Sequence, residues 1–323
     1  MKAIRIKGYG SYEQLIYEEV PIPEITDNQI LVKIYATSVN HLEIKKASGA
    51  FQSKFDLNFP WIPGHDFAGI VVKTGKNVTS FKEGDKVYGN ANDGYIHSDQ
   101  GSYAEYIAAD ITKTAIMPKN ISFIEAASVP HVGETAWQAV HTYGKLKPGE
   151  KVLIHGATGA VGSFATQFAR KIGAEIYTTA SAKNKDLAIS YGADVVIDYR
   201  SSDFSEILKD MDLVLVFTGG DVQEKSYKVL RKGGRLVSIT GPILEDLAKE
   251  HDVSGVFMVI KQSGEDLQKV TELIESGEVK TDVALTFDLK DAAKAWEIVL
   301  GTNPSLLKVA HGKIVLSMDT DNK

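Results

Sequence analysis

The spacing of apolar positions changes character near residue 124. Before it, short runs alternate polar and apolar residues at the period of a strand, and turn residues separate them. This pattern predicts strands at Ile4–Lys7, Ile30–Thr37, Gly69–Thr74, Lys86–Tyr88 and Ala104–Ala108. From about Ile124 to Lys261, short apolar runs alternate instead with stretches of helical period. The runs are Val152–Ile154, Glu175–Thr179, Val195–Ile197, Leu213–Phe217, Arg235–Ile239 and Val256–Ile260. Six strands with helices between them imply an α/β fold with a doubly wound parallel sheet. The last stretch predicts a helix (Glu265–Ser276), a strand (Ala284–Phe287), a helix (Lys290–Leu300) and a closing strand (Lys313–Leu316).

The first run of the second region leads straight into Gly156-Ala157-Thr158-Gly159-Ala160-Val161-Gly162. Val161, Ala165, Phe168 and Ile172 then recur at helical spacing, and Gly173 stands where a C-cap belongs. A strand, a glycine turn and a helix in that order form the phosphate-binding start of a dinucleotide site. Gly156 and Gly159 permit a tight turn and close approach to a pyrophosphate, and Gly162 lets the helix pack hard on the strand. The helix start offers the N–H groups of Ala160, Val161 and Gly162, with Thr158 beside them. About 20 residues on, a site for NAD carries a carboxylate for the ribose 2′-hydroxyl. Here the stretch 177–185 holds Ser181, Lys183 and Lys185 and no acid. A hydroxyl and ammonium groups suit a 2′-phosphate, so NADPH is the expected cofactor.

Composition narrows the partners. The 323 residues carry a net charge of −6 and no long basic run, which argues against nucleic acid or an anionic membrane. No apolar run has the length of a membrane span, and Met1 to Ile6 alternates like a strand rather than a signal peptide, so a cytoplasmic location is expected. The chain has no cysteine, which removes disulfides and thiolate metal ligands.

Several blocks together resemble the zinc-independent quinone oxidoreductases and the alkenal/enone oxidoreductases of the medium-chain dehydrogenase/reductase family. They are 38–45 with Gly49, 63–69 (Pro-Gly-His-Asp-Phe-Ala-Gly), 81–89, 101–106, the glycine turn, 191–200 and 311–316. The resemblance implies a β-rich GroES-like catalytic domain over 1–124, interrupted by a Rossmann domain over 125–261 and completed by 262–323. It also implies a cleft between the two domains with the nicotinamide at its base. His65 matches a zinc ligand of the zinc-dependent branch, but Ser38 falls where the first cysteine ligand belongs. No metal is therefore expected, and His65 reads as structural.

The resemblance further implies that Asn40 and Lys45, the candidate catalytic residues, line the nicotinamide end. Asn40 also suits the cap of the following helix, and Lys45 also suits a solvated helix face. Thr135 matches a nicotinamide contact and Tyr199 an adenosine-phosphate contact. Phe217, Thr218, Thr240, Phe257 and Met258 fall at or after later strand ends, where such sheets bind ligands, and Lys313 completes the cofactor candidates.

Without zinc, an acceptor that itself stabilises an arriving hydride fits best: a quinone or an α,β-unsaturated carbonyl. Asn40 and Lys45 are the candidate donors to its carbonyl oxygen. A catalytically weak NADPH-binding protein of the same fold is the alternative, and a zinc alcohol dehydrogenase is disfavoured. Phe51, Phe55, Phe59 and Trp61 read either as core or as the wall of a flat apolar site, and Tyr95 or His97 falls in an irregular loop that reaches a substrate in one reading. The apolar last strand, Val256–Ile260, predicts a homodimer paired edge to edge.

Overall fold

The computed structural model describes residues 1–91, 101–302 and 311–318. In chain order its strands are β1 (Lys2–Arg5), β2 (Ile16–Glu19), β3 (Gln29–Ser38), β4 (Asp66–Thr74), β5 (Lys86–Asn90), β6 (Tyr106–Asp110), β7 (Thr114–Ile116), β8 (Lys151–His155), β9 (Glu175–Ala180), β10 (Val195–Asp198), β11 (Met211–Val216), β12 (Leu230–Ser238), β13 (Ser254–Phe257), β14 (Val283–Asp288) and β15 (Lys313–Ser317). They fall into two compact units. The first holds residues 1–131, 261–277 and 281 onward; the second holds 132–260 and 278–280.

The first unit is built on a sheet in the order β14-β15-β3-β4-β5-β7, with β6 also paired to β3. The last strands of the chain thus enter the first sheet, β15 antiparallel to β3 through Val315↔Ser38 and Leu316↔Thr37. The helix α1 (His41–Ala47) follows β3, and α2 (Phe123–Ala127) packs on β3 and β4. That packing keeps 125–131 with the first unit, so the first unit runs past the boundary at 124 expected from the change of period. Trp61, Trp296 and Tyr103 are buried in one core of this unit, with Ile4, Ile6 and Leu316. Ile30, Val32, Ile34, Phe67, Val71 and Ile107 form another.

The second unit is a six-stranded parallel sheet in the order β10-β9-β8-β11-β12-β13. Its central strands β8 and β11 are apolar and continuous, as strands covered on both faces require: Val152, Leu153, Ile154, Leu213, Val214, Leu215 and Val216 are all fully buried. The α-helix α3 (Pro130–Trp137) spans the unit boundary. The helix α4 (Ala160–Ile172) ends at Gly173 in the left-handed conformation (φ 86°), the C-cap expected from the sequence.

Two strand readings need correction, and β2 and β7 were not expected. The first strand is Lys2–Arg5 rather than Ile4–Lys7, because it pairs antiparallel with β2 through Lys2↔Glu19 to Arg5↔Ile16. Strand β2 gave no signal because Ile16 and Tyr17 are both exposed, leaving no alternation to detect. The last strand of the parallel sheet is Ser254–Phe257 rather than Val256–Ile260. Its neighbour β12 ends at Ser238, the partner of Phe257, so no strand remains for later residues to pair with. It does occupy the edge of the sheet.

Candidate active site

In the second unit all six strands run parallel, so their C-terminal ends share one rim. Register fixes this: His155 pairs with Thr179 and Val216, Val216 with Ser238, and Ser238 with Phe257. The rim gathers the glycine turn after β8, Ser181 after β9, Tyr199 after β10, Phe217 and Thr218 after β11, Thr240 after β12, and Phe257 with Met258 at the end of β13. These are most of the cofactor candidates read from the sequence.

The turn is built by glycine chemistry. Gly156 sits at φ 82°, and a Cβ there would lie 2.8 Å from Thr218 Cγ2. The Gly159 N–H donates to Gly156 O at 2.9 Å. A Cβ on Gly162 would come within 2.0 Å of that same carbonyl oxygen, so only glycine lets α4 approach β8 this closely. Gly159 is the N-cap of α4 and no side chain caps the helix. Ala160, Val161 and Gly162 have no intrahelical acceptor at a helix start, and the positive end of the helix dipole lies there. This is an anion cradle, and a pyrophosphate fits it. Thr158 Oγ1 lies 3.5 Å from Asn184 Nδ2, linking the turn to the segment after β9.

That segment carries the residues the sequence reading assigned to the 2′-phosphate. Ser181 is buried, whereas Lys183 and Lys185 are exposed. Tyr199 is 56% exposed, with the Arg200 guanidinium 5.8 Å from its ring centroid. Thr218, Thr240 and Phe257 are exposed and Met258 is buried. Thr135 is buried within α3. One rim residue gave no signal in the sequence. His155, at the end of β8, is fully buried between Thr179 Oγ1 (Nδ1, 3.0 Å) and Ser226 Oγ (Nε2, 3.1 Å). Burial holds its ring neutral, pushing its pKa down to about 3.

Within the first unit a buried polar network surrounds the start of α1. Asn40 caps this helix in a capping box: its side chain accepts from the Glu43 backbone N–H, and Glu43 Oε1 accepts the Asn40 N–H at 2.6 Å. Asn40 Nδ2 donates to Asp66 Oδ2 at 2.9 Å. Ser38 Oγ donates to the same oxygen, and the His131 N–H donates to Asp66 Oδ1 at 2.7 Å. Lys313 Nζ donates to Val39 O at 2.8 Å and to Asn40 Oδ1 at 2.5 Å, and lies 3.6 Å from Asp66 Oδ2. Lys313 was a cofactor candidate in the sequence. Its buried ammonium instead faces these groups of its own unit, and burial lowers its pKa against the pull of Asp66 and Glu43. Burial alone would raise the Asp66 pKa, but Lys313, His131 and the hydrogen bonds from Asn40 and Ser38 together hold it below the ordinary value.

Glu43 is fully buried, and burial pushes its carboxyl up to about 7. Its Oε2 meets His65 Nδ1 at 2.9 Å, and His65 Nε2 lies 3.4 Å from Lys46 Nζ. Both ring nitrogens of His65 are therefore engaged by side chains. Tyr103 donates to Glu43 Oε1 at 3.2 Å and accepts from Trp296 Nε1 at 3.1 Å. Sequence reasoning assigned no role to Glu43, Lys46 or Asp66, because nothing in linear order joins residues 38–46, 65–66 and 313. Lys45 is exposed, beside the buried Lys46. The aromatic segment divides: Trp61 is core, Phe59 packs against that core, and Phe51 stacks on Phe55 with centroids 6.0 Å apart, both half-buried and outside the buried clusters. Tyr95 and His97 lie outside the described residues.

Comparison with known proteins agrees with this architecture. Residues 26–119 match the family model for the alcohol dehydrogenase GroES-like domain, and residues 191–316 match that for a zinc-binding dehydrogenase. The chain is 36% identical over 285 residues to 2-methylene-furan-3-one reductase of Solanum lycopersicum, covering 87% of this chain and 70% of that protein. It is 34% identical to the chloroplastic NADPH-dependent alkenal/one oxidoreductase of Arabidopsis thaliana, over 87% of this chain and 71% of that one. Among solved structures, the quinone oxidoreductase of Coxiella burnetii superposes with a TM-score of 0.88 at 30% identity, covering 99% of both chains. The chain belongs to the zinc-independent quinone oxidoreductase group of the medium-chain dehydrogenase/reductases.

Proposed function

We propose that this protein is an NADPH-dependent reductase that delivers hydride to a quinone or an α,β-unsaturated carbonyl. The observation that carries the reading is the uncapped start of α4, closed on β8 by Gly162, on the same rim as a segment where Ser181, Lys183 and Lys185 replace the acid of an NAD site. The relatives named as NADPH-dependent alkenal/one oxidoreductase and quinone oxidoreductase support it.

Gly156, Gly159 and Gly162 make room for the pyrophosphate, and the N–H groups of Ala160 and Val161 donate to it. Lys183, Lys185, Ser181 and Tyr199 hold the 2′-phosphate end, and Thr135, Thr158, Phe217, Thr218, Thr240, Phe257 and Met258 line the remaining cofactor positions. Bound NADPH supplies the hydride. As hydride arrives, negative charge gathers on the acceptor's carbonyl oxygen, and Asn40 and Lys45 donate to that oxygen. Asn40 Nδ2 donates one hydrogen to Asp66, and its second hydrogen is the one this reading assigns to the acceptor. Lys45 is exposed and brings a mobile charge. The final proton comes from solvent.

Among the described residues no helix is long and apolar enough to cross a membrane. A cytoplasmic location belongs to this proposal and rests on the sequence reading. So does a homodimer, supported by β13 at the sheet edge with Phe257 38% exposed.

The test is NADPH oxidation by chelator-treated protein against an ortho-quinone, a short enone and a saturated aldehyde, with NADH in parallel. Turnover of the quinone or enone with preference for NADPH is expected. NADPH binding without turnover of any acceptor would favour a binding protein, and restoration of aldehyde turnover by zinc would overturn the reading.

A further inference from the structure

The side-chain amide of Asn40 lies between two opposite charges. Its oxygen accepts from the Lys313 ammonium at 2.5 Å, and its nitrogen donates to the Asp66 carboxylate at 2.9 Å. An amide can be turned over about its last torsion with little change of shape. Here that turn would set the carbonyl against the carboxylate and the NH2 group against the ammonium, replacing two charge-assisted hydrogen bonds with two repulsions. All three side chains are buried, where such contacts are least screened.

Two other roles for Lys313 fit the geometry less well. A cofactor contact needs a donor directed to a ligand, yet Val39 O, Asn40 Oδ1 and the nearby Asp66 already surround the ammonium. A simple ion pair with Asp66 would make that contact the shortest. At 3.6 Å it is the longest of the three, and Asp66 Oδ2 already accepts from Ser38 and Asn40.

We propose that Lys313 is a positioning residue that, with Asp66, holds the Asn40 amide in the one orientation that leaves an Nδ2 hydrogen for the acceptor's carbonyl oxygen. This rests on the reading of Asn40 as the donor to that oxygen. Lys313 reaches the site from β15, some 270 positions further along the chain than the residue it orients. The start of the last strand of the first sheet thus sets the direction of a group at the start of α1.

The experiment is a double-mutant cycle on the full chain with Asn40→Ala, Lys313→Met and the combined variant. The measurements are kcat and KM for but-3-en-2-one and the Kd for NADPH by fluorescence titration. Asn40→Ala is expected to lower kcat about 100-fold, the scale for removal of one preorganised donor. Lys313→Met is expected to lower kcat at least about 10-fold while leaving the NADPH Kd within about two-fold, and the combined variant is expected to be no slower than Asn40→Ala. Losses that multiply in the combined variant would overturn the proposal, as would a Lys313→Met effect confined to the NADPH Kd. An unchanged kcat in Asn40→Ala would instead refute the reading of Asn40 itself. Where Lys313→Met fails to fold, Lys313→Gln keeps an N–H donor without the charge and completes the same cycle.

Discussion

The two units place their candidate residues in different materials. The second uses backbone: three glycines, a bare helix start and parallel strand ends, with the one buried imidazole kept neutral. The first uses side chains: Ser38, Asn40, Glu43, His65, Asp66 and Lys313 in a buried charged network drawn from three distant stretches of the chain. A backbone cradle tolerates change at its side chains but not at Gly156 or Gly162. A side-chain network has the opposite weakness, because loss of any one charge strands its partner in a dry interior.

The strongest test of this contrast is Gly162→Val. With a Cβ already 2.0 Å from Gly156 O, the branched side chain must push α4 off β8. NADPH affinity is expected to fall by at least about 100-fold and stability by about 3 kcal/mol, read by calorimetric titration and urea unfolding. Unaltered binding would show that the close approach is not needed. A comparable loss of stability, about 3 kcal/mol or more, is expected for Asp66→Ala, because the Lys313 ammonium then stays buried without its counter-charge. This variant leaves the glycine turn intact, so its NADPH affinity should hold.

A smaller effect is expected at the cofactor's phosphate end. Lys183→Glu places a carboxylate near the 2′-phosphate, and NADPH affinity should fall about 10-fold with NADH affinity little changed, since the lysine is exposed and its charge is screened. Equal losses for both nucleotides would move the lysine's role to the pyrophosphate.

A further expected effect concerns pH. Glu43 is raised from 4.5 to about 7, so the folded state holds a proton there that the unfolded chain has lost. Stability from this group is therefore present below pH 4.5 and is lost as pH rises through about 7. His155 behaves in the opposite sense. Lowered from 6.5 to about 3, it makes stability fall as pH drops below 6.5, because the unfolded chain takes up a proton that the folded one refuses. Urea midpoints from pH 3 to 8 should show Glu43→Gln removing the loss of stability between about pH 4.5 and 7 and leaving the slope below pH 4.5 unchanged. A changed slope below pH 4.5 in that variant would show that Glu43 is not the group responsible.

The same contrast governs what the sequence reveals. The glycine turn is read from seven consecutive residues because its geometry is local: the turn, the helix period and Gly173 at the C-cap all sit on one βα segment. The central parallel strands β8 and β11 were legible because burial on both faces makes them apolar. β2 was not, since its exposed Ile16 and Tyr17 break the alternation, and the end of β13 depended on where β12 stops. Asn40 stood out as a cap, but the groups that hold its amide did not. Lys313 and Asp66 meet it only through the pairing of β15 with β3 and of β3 with β4, which no local pattern encodes.

His155 offers a practical benefit to anyone who follows this protein by magnetic resonance. Its ring is sealed between Thr179 and Ser226 and refuses a proton until about pH 3. Its imidazole resonances should stay fixed while those of solvent-facing rings move with pH. They form a built-in reference whose first displacement reports that the parallel sheet itself is opening.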